Sequence, residues 1–326
     1  MSGLEWRPGY SWPARQKLDL HISISASRDQ YNHWKKSYGW YRSECDSVAR
    51  SVVHRYIDSH PNVREFEFSW SDSQWPVYSW KSGAESLNDS NYVDNKQSWP
   101  LKNDRLRELL NSELADFYLQ RGFLVLEQEE DKGTELLSPA YSSVMGSQKE
   151  LLIMIAHSLL DNLRPKHRNQ RKWRLAIALS FVQSIPYSVV DEWVDSLYVG
   201  HWLPPFQTLR MEMADCDSKA MLLIGIWYAW YGDTGAIPIL YPLEIGDTQH
   251  VLVGIPTHGP DYLNVRRIEY IGGEKDGNEG KQRVSRQNYV ICETTKSKPP
   301  GILPKSIDRV WQREYKRLRP KIYYPW

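Results

Sequence analysis

Residues Asp215–Tyr231 read DCDSKAMLLIGIWYAWY, and this stretch determines how the second half of the chain folds. From Ala220 onward almost every position is apolar, which a helix tolerates only where protein surrounds it. Asp215 is a favourable N-cap residue, so we predict a buried helix that begins beside it. Cys216 then lies in the first turn, where the helix dipole favours the thiolate, the nucleophilic form of cysteine. A lone cysteine there is more often a small packing residue, so a catalytic role requires a base and an acid.

Both groups follow the cysteine along the chain. Gln249–Ile255 reads QHVLVGI, a pattern typical of a strand, and it carries His250. Asn288–Thr294 reads NYVICET and predicts a further strand, in which alternation places Glu293 on one face and Cys292 on the other. A nucleophile, a base and an orienting carboxylate are the groups that covalent acyl transfer needs. Cys292 is then a packed structural thiol.

Two further carboxylates compete with Glu293 for the role of the acid. Asp215 and Asp217 each lie within one residue of Cys216. Both are better placed to cap the predicted helix than to orient a histidine on a separate strand. We therefore expect Glu293 to be the orienting acid.

The composition limits the classes of function. The chain has 326 residues, 41 Lys and Arg against 40 Asp and Glu, and 41% hydrophobic residues. It can bury a real core in one large or two ordinary domains, which excludes disorder as its main state. Its three cysteines, its lack of a signal peptide and its lack of an apolar run of ~20 residues predict a soluble cytoplasmic protein with no membrane partner.

The periodicity of the chain predicts two domains. Residues 1–147 alternate strand and helix patterns, which predicts a small α/β domain of unknown role. Residues 148–326 form the second domain and end in a basic tail. The predicted strands of the first domain are Lys17–Ser25, Val63–Trp70 and Phe123–Glu127, its predicted helices are Arg42–Ile57 and Asp104–Gln120, and the second domain opens with helices at Lys149–Asn162 and Lys172–Ser184.

Other chemistry finds little support in the sequence. There is no HExxH, no pair of CxxC motifs, no P-loop and no GxGxxG motif, so we expect neither a metal nor an organic cofactor. Two basic runs, Arg164–Arg174 and one inside Arg313–Lys321, are candidates for phosphate contact. Binding of nucleic acid is nevertheless not expected, because the net charge is only +1.

Five blocks of the second half resemble the transglutaminase-like cysteine peptidase superfamily. They are FVQSIPY (Phe181–Tyr187), PPFQTL (Pro204–Leu209), ADCDSKAMLL (Ala214–Leu223), QHVLVGI (Gln249–Ile255) and YVICETT (Tyr289–Thr295). The resemblance covers Lys149 to Thr295. It implies an α+β fold with a papain-like core, in which the nucleophile helix packs on an antiparallel sheet. The family commonly has Gly-Asp-Cys-Glu-Asp where this chain has Ala-Asp-Cys-Asp-Ser, and many members have Asp where this chain has Glu293.

The resemblance implies a role for each candidate residue. Cys216 is similar to the family's nucleophile, His250 to its base and Glu293 to its third member, while Gln183 resembles a position that could help to form the oxyanion hole. We expect a cysteine peptidase or amidase that works through an acyl-thioester on a protein or peptide substrate. A crosslinking acyltransferase is one alternative. Another is a non-catalytic binding module, whose partner protein would contact the tryptophan-rich N-terminal domain.

Overall fold

The computed structural model describes residues 2–6, 9–12, 16–19, 22–59, 67–70, 78–81, 104–126, 136–232, 239–245, 248–257, 265–272, 283–314 and 321–322. The helices of these residues are α1 Arg28–Lys36, α2 Arg42–Asp58, α3 Asp104–Gln120, α4 Tyr141–Ser147, α5 Lys149–Asp161, α6 Arg171–Ser184, α7 Pro205–Met211, α8 Cys216–Tyr231 and α9 Lys305–Glu314. In this described part of the chain no helix has the length and apolar character needed to span a membrane.

The strands of the same residues pair in antiparallel fashion, so helices and antiparallel sheets together give the α+β structure that the sequence predicts. They are β1 Ser2–Trp6, β2 Gly9–Trp12, β3 Gln16–Asp19, β4 Ile22–Ala26, β5 Trp40–Tyr41, β6 Glu67–Trp70, β7 Tyr78–Lys81, β8 Phe123–Leu126, β9 Leu136–Pro139, β10 Trp193–Val194, β11 Leu197–Tyr198, β12 Ile239–Ile245, β13 Thr248–Thr257, β14 Val265–Gly272, β15 Arg283–Cys292 and β16 Lys321–Ile322.

Contacts divide the chain into two compact units. The first contains residues 1–37, 141–192 and 201–326, and the second contains residues 38–140 and 193–200. The candidate residues Gln183, Cys216, His250 and Glu293 all belong to the first unit. The domain boundary at residue 147 stays a prediction from the sequence.

The described strands before residue 147 include three antiparallel pairs of consecutive strands. β2 pairs with β3, β6 with β7 and β8 with β9, each time in antiparallel fashion and with no described helix between the partners. Strands joined in this way form antiparallel pairs, whereas a parallel pair needs a long crossover. The helices α2 and α3 pack on each other. The α/β domain over residues 1–147 stays a prediction from the sequence.

The second unit is held together by aromatic rings. Trp40 is fully buried and stacks on Tyr198, with the two ring centroids 4.7 Å apart. The Tyr38 hydroxyl donates a hydrogen bond to the Val199 carbonyl at 2.6 Å, which satisfies a buried polar group. This packing accounts for part of the high tryptophan and tyrosine content of the chain.

The first unit contains a five-stranded sheet in the order β14-β15-β13-β12-β16. Within it, β13 pairs with β12 on one side and with β15 on the other. The register places His250 opposite Leu243, so these two side chains share one face of the sheet. That face packs on α9, because Leu243 belongs to one buried cluster with Ile307 and Trp311.

Helix α8 crosses the interior of the first unit. Its residues from Ser218 to Tyr228 are buried, and it packs against α5, α6 and β13. At Gly225 the contact with α4 and α5 is so close that a Cβ atom would lie 2.5 Å from Met145 Cε and 2.8 Å from the Leu152 methyl groups. The predicted buried helix is therefore present, and Asp215 is its N-cap.

Candidate active site

Cys216 is the first residue of α8 and is half-buried. Its Sγ accepts hydrogen bonds from the backbone N–H groups of Val251 and Asp217. Its carbonyl accepts a bond of 3.5 Å from the Thr294 hydroxyl. Val251 directly follows His250 in the sequence, and Thr294 directly follows Glu293. The candidate nucleophile is thus bonded to the immediate neighbours of the candidate base and the candidate acid.

The structure brings His250 and Glu293 together. His250 Nε2 lies 2.7 Å from Glu293 Oε2, and the histidine side chain is 13% exposed while that of Glu293 is fully buried. We predicted that Glu293 lies within a strand. Strand β15 ends at Cys292, so Glu293 is instead the first residue beyond it. With Nε2 directed at Glu293, the ring presents Nδ1 to other partners.

The Glu293 carboxylate accepts several hydrogen bonds from the protein. Its Oε1 accepts hydrogen bonds from the Thr295 backbone N–H at 2.7 Å and from the Thr295 hydroxyl at 2.6 Å. Burial raises the pKa of Glu293, but the hydrogen bond and charge of His250 and the two bonds from Thr295 lower it by more. The net effect is a lowered pKa, so the carboxylate is held ionised and can orient the imidazole ring.

The thiol is not activated in this resting state. Burial, followed by the negative charges of Asp217 and Asp215, raises the pKa of Cys216 to about 12, although the two backbone N–H groups oppose the shift. The position at the helix N-terminus led us to expect a thiolate. Loss of solvent and two neighbouring acids outweigh that effect, so the resting form is the neutral thiol.

The two rival acids serve the helix end. The Ser218 backbone N–H donates to Asp215 Oδ1 at 3.2 Å and to Asp217 Oδ1 at 2.9 Å. Burial, then the hydrogen bond and the charge of Asp215, raise the pKa of Asp217 well above its ordinary value. Among the residues that the structure describes, no cluster of His, Cys, Asp and Glu could hold a metal ion.

Gln183, the oxyanion candidate, is buried near the end of α6. Its Nε2 donates to the Glu293 carbonyl at 2.7 Å and to the Lys298 carbonyl at 2.8 Å. Both amide hydrogens are therefore used to fix the segment that follows β15. A developing oxyanion would have to displace one of these carbonyls, so the geometry favours a positioning role for Gln183.

Lys219 is a candidate that the sequence analysis missed. It lies one turn after Cys216, is fully buried and donates from Nζ to the Ile185 carbonyl at 2.5 Å. Burial lowers the pKa of Lys219 to about 8, although the charges of Glu293 and Asp215 oppose the shift. A lysine in the first turn of a helix that protein surrounds was the available signal.

Tyr187, at the end of the FVQSIPY block, was also missed. Its side chain is 52% exposed, yet burial and the charges of Cys216, Asp215, Asp217 and Glu293 raise its pKa, in that order. The phenol therefore interacts electrostatically with the thiol and with the three carboxyl groups of the site.

The chain was compared with known proteins. No family model matches it, and no curated protein matches it. Among solved structures, part of the chain is similar to Legionella pneumophila LapG (EGTA-treated), with 16% sequence identity and a TM-score of 0.31. The similarity covers 54% of this chain and 78% of that chain. A TM-score this low gives the similarity no weight for the function.

Proposed function

We propose that the chain is a cysteine-nucleophile hydrolase of the transglutaminase-like kind, and that it acts as a peptidase or amidase. One observation carries the proposal: His250 is bonded to a buried, ionised Glu293, and Cys216 is bonded to the residues that follow each of them. A base with an orienting acid beside a half-buried thiol is the arrangement that covalent acyl transfer requires.

The reaction begins from the neutral thiol. His250 takes the Cys216 proton as Sγ attacks the carbonyl carbon, so attack and proton transfer occur together. The tetrahedral intermediate collapses, the C–N bond breaks, and the amine leaves with the proton from His250. Water then attacks the thioester with His250 as base, which releases the carboxylic acid and restores the thiol. Glu293 stabilises the imidazolium formed in both halves of the reaction.

A second amine in place of water would turn the same thioester into a product of acyl transfer. The two outcomes differ only in the acceptor that reaches the thioester. We retain hydrolysis as the proposed reaction and acyl transfer as the alternative.

The test is mass spectrometry of a peptide library, prepared by digesting a cell extract, after incubation with the protein. New peptide ends that the wild type produces and that Cys216→Ala and His250→Ala do not produce would support hydrolysis. Added methylamine reveals acyl transfer, because it would appear covalently attached to the acyl product. Cys45→Ala is the matched control, since Cys45 is buried in the second unit. Identical peptide ends with wild type and Cys216→Ala would refute the proposal.

A further inference from the structure

A cluster of positive charges lies on the connection between α5 and α6. Residues 162–174 contain neither Asp nor Glu, and their cationic side chains are Arg164, Lys166, Arg168, Arg171, Lys172 and Arg174. Of these residues, Arg164, Lys166 and Lys172 are exposed. The net charge of the whole chain, +1, conceals this local excess.

Two of the arginines hold the connection in its conformation. Arg168 Nε donates to the Leu163 carbonyl at 3.1 Å, and Arg168 Nη2 lies 3.6 Å from Asp161 Oδ1. Arg174 Nε donates to the Arg168 carbonyl at 2.5 Å. These bonds fix the backbone that carries the exposed cations, so little further ordering is needed when a partner binds to them.

The exposed cations lack an anionic partner. None of the ion pairs among the described residues involves Arg164, Lys166 or Lys172. Loss of solvent lowers the pKa of His167, and the charges of all three cations lower it further, so these charges lie close to one ring. Like charges this close repel one another, and a bound anion would relieve the repulsion.

The start of α6 adds to the same positive surface. The backbone N–H groups of Arg171 and Lys172 have no acceptor among the described residues, and the helix has no acidic residue in its first turn. The positive end of the helix dipole is therefore not compensated there. We define the basic surface by the side chains of Arg164, Lys166, Arg171 and Lys172.

The basic surface lies at the end of α8 that is far from the candidate nucleophile. The Arg171 guanidinium lies over the Tyr231 ring, 4.8 Å from its centroid. Tyr231 is the last residue of α8 and Cys216 is the first, which separates them by about 22 Å along the helix. A group bound at the basic surface would therefore belong to a part of the substrate remote from the attacked carbonyl.

The chemistry of the basic surface favours the carboxylates of a polypeptide over nucleic acid. A net charge of +1 gives the whole chain little of the long-range attraction that dominates affinity for nucleic acid. Single strands also need free ring faces for stacking. Two guanidinium groups, those of Arg171 and Arg174, lie over the Tyr231 ring, and the Trp173 ring lies 4.5 Å from that of His167.

We propose that the basic surface is a secondary binding site, which recruits protein substrates through an acidic stretch of their chain. This inference rests on the proposed function and specifies its substrate class. Extended chain advances about 3.3 Å per residue, so about seven residues or more would separate the acidic stretch from the residue that provides the acyl group. Shorter peptides would reach the thiol without this contact.

The experiment measures the binding of fluorescein-labelled decaglutamate by fluorescence anisotropy. Titrations are made at ionic strengths of about 0.01 M and about 0.15 M, where the Debye length is about 30 Å and about 8 Å. Labelled decaserine is the uncharged probe of the same length. The test variant replaces three cations of the basic surface by glutamine: Arg164→Gln, Lys166→Gln and Lys172→Gln.

The matched control variant removes the same residue types from exposed positions of α1: Arg28→Gln, Lys35→Gln and Lys36→Gln. The two variants have the same net charge, so they differ only in where the charge was removed. Thermal unfolding checks that both are folded.

The expected result is that the wild type and the control variant bind decaglutamate equally well at the lower ionic strength. The test variant should bind it about tenfold more weakly, because three ion pairs of modest strength are lost. This difference should shrink at the higher ionic strength, where exposed charges are screened. Decaserine should bind to none of the three proteins.

Equal affinity of the wild type and the test variant for decaglutamate would overturn the inference. Tighter binding of a deoxythymidine decanucleotide than of decaglutamate would assign the basic surface to nucleic acid and would also overturn it. Binding requires no turnover, so the two proposals fail separately. A protein that binds decaglutamate through the basic surface but cleaves no peptide would refute the proposed hydrolysis, whereas one that cleaves peptides but does not bind decaglutamate would refute only the secondary site.

Discussion

His250 Nε2 and Glu293 Oε2 lie 2.7 Å apart, although 43 residues separate them in the sequence. Pairing of β13 with β15 brings them together, because Val253 pairs with Cys292, the last residue before Glu293. The register of these two strands thus determines whether His250 meets Glu293. A slip of one residue would turn His250 to the other face of the sheet.

The ion pair predicts a pH-dependent loss of stability in Glu293→Gln. The folded pKa of Glu293 is lowered from 4.5, so the ionised form contributes stability in full above about pH 4.5, and this contribution is lost as the pH falls through the folded pKa. We expect the variant to be less stable at pH 7 by about 1–3 kcal/mol, with a smaller difference at pH 3.5. Urea unfolding followed by tryptophan fluorescence measures both values.

The matched control is Glu150→Gln, because Glu150 is exposed and accepts one hydrogen bond from Gln30. Glu150→Gln should lower the free energy of unfolding only slightly at either pH. A destabilisation of Glu293→Gln that is the same at pH 7 and pH 3.5 would contradict a carboxylate held ionised in the fold.

Alkylation should distinguish the three thiols by access. Cys45 and Cys292 are buried and Cys216 is half-buried, so iodoacetamide should label Cys216 first. Because the pKa of Cys216 is raised to about 12, its labelling rate should rise about tenfold for each pH unit between 7 and 10. A rate that levels off below pH 9, measured by mass spectrometry, would show an activated thiol instead.

Asp217→Asn should accelerate that alkylation. The aspartate is among the groups that raise the pKa of Cys216, and asparagine keeps its shape without its charge. We expect a severalfold faster rate at pH 8 and no change in the control Asp161→Asn, which alters an exposed aspartate. If Asp217→Asn instead abolishes peptide cleavage while Glu293→Gln leaves it intact, the orienting acid belongs to the nucleophile's own helix.

Gln183→Leu tests whether the amide positions backbone or binds an oxyanion. Removal of Nε2 leaves the carbonyls of Glu293 and Lys298 without this donor, which should lower the free energy of unfolding by about 2–4 kcal/mol. An oxyanion donor would instead lower kcat by about 10²–10³-fold with little loss of stability. The control is Gln312→Leu, since Gln312 makes an exposed bond to Asp308.

Lys219 should make stability rise with pH. Its pKa is lowered from 10.5 to about 8 in the folded state, so the unfolded chain binds more protons between these values and the fold gains stability as the pH rises through that window. Lys219→Met should lack this gain, which amounts to about 2–3 kcal/mol. Urea midpoints at pH 7, 8.5 and 9.5 for both proteins give the difference.

The thiols of Cys216 and Cys292 lower the stability of the fold as the pH rises above 9, because folding raises the pKa of each to about 12. Their effect is common to the wild type and to Lys219→Met, so it cancels in the difference. Lys305→Met, at an exposed position of α9, should follow the wild type. If the difference in stability between the wild type and Lys219→Met does not change with pH, Lys219 keeps an ordinary pKa.

Local signals in the sequence predicted five of the nine helices in the described part of the chain, and they missed α1, α4, α7 and α9. Helix α3 has the predicted bounds Asp104–Gln120, and α5, α6 and α8 agree within one residue at each end. Their apolar periodicity and, for α8, the Asp215 cap are encoded within the segment itself. The strand Val63–Trp70 begins at Glu67 in the described residues, and residues 63–66 lie outside them.

The parts of the site that depend on distant partners could not be predicted in the same way. The buried amino group of Lys219 donates a hydrogen bond to the Ile185 carbonyl, 34 residues earlier. The side-chain amide of Gln183 donates to carbonyls that lie 110 and 115 residues later. No local pattern encodes such pairings. The raised pKa of Cys216 likewise results from burial by the whole unit, which the helix-end argument did not include.

The close contact at Gly225 means that the location of the Cys216 thiol depends on the size of a side chain far from it on the same helix. Gly225 lies nine residues after Cys216, about 13 Å along α8. An added methyl group would collide with Met145 of α4 and Leu152 of α5, so either these buried side chains or this part of α8 would have to shift. A helix moves nearly as a rigid rod, so the displacement would reach Sγ, and a misplacement of about 1 Å can cost 10²-fold in rate. The position of the proposed nucleophile therefore depends partly on the absence of a side chain at a helix crossing about 13 Å away.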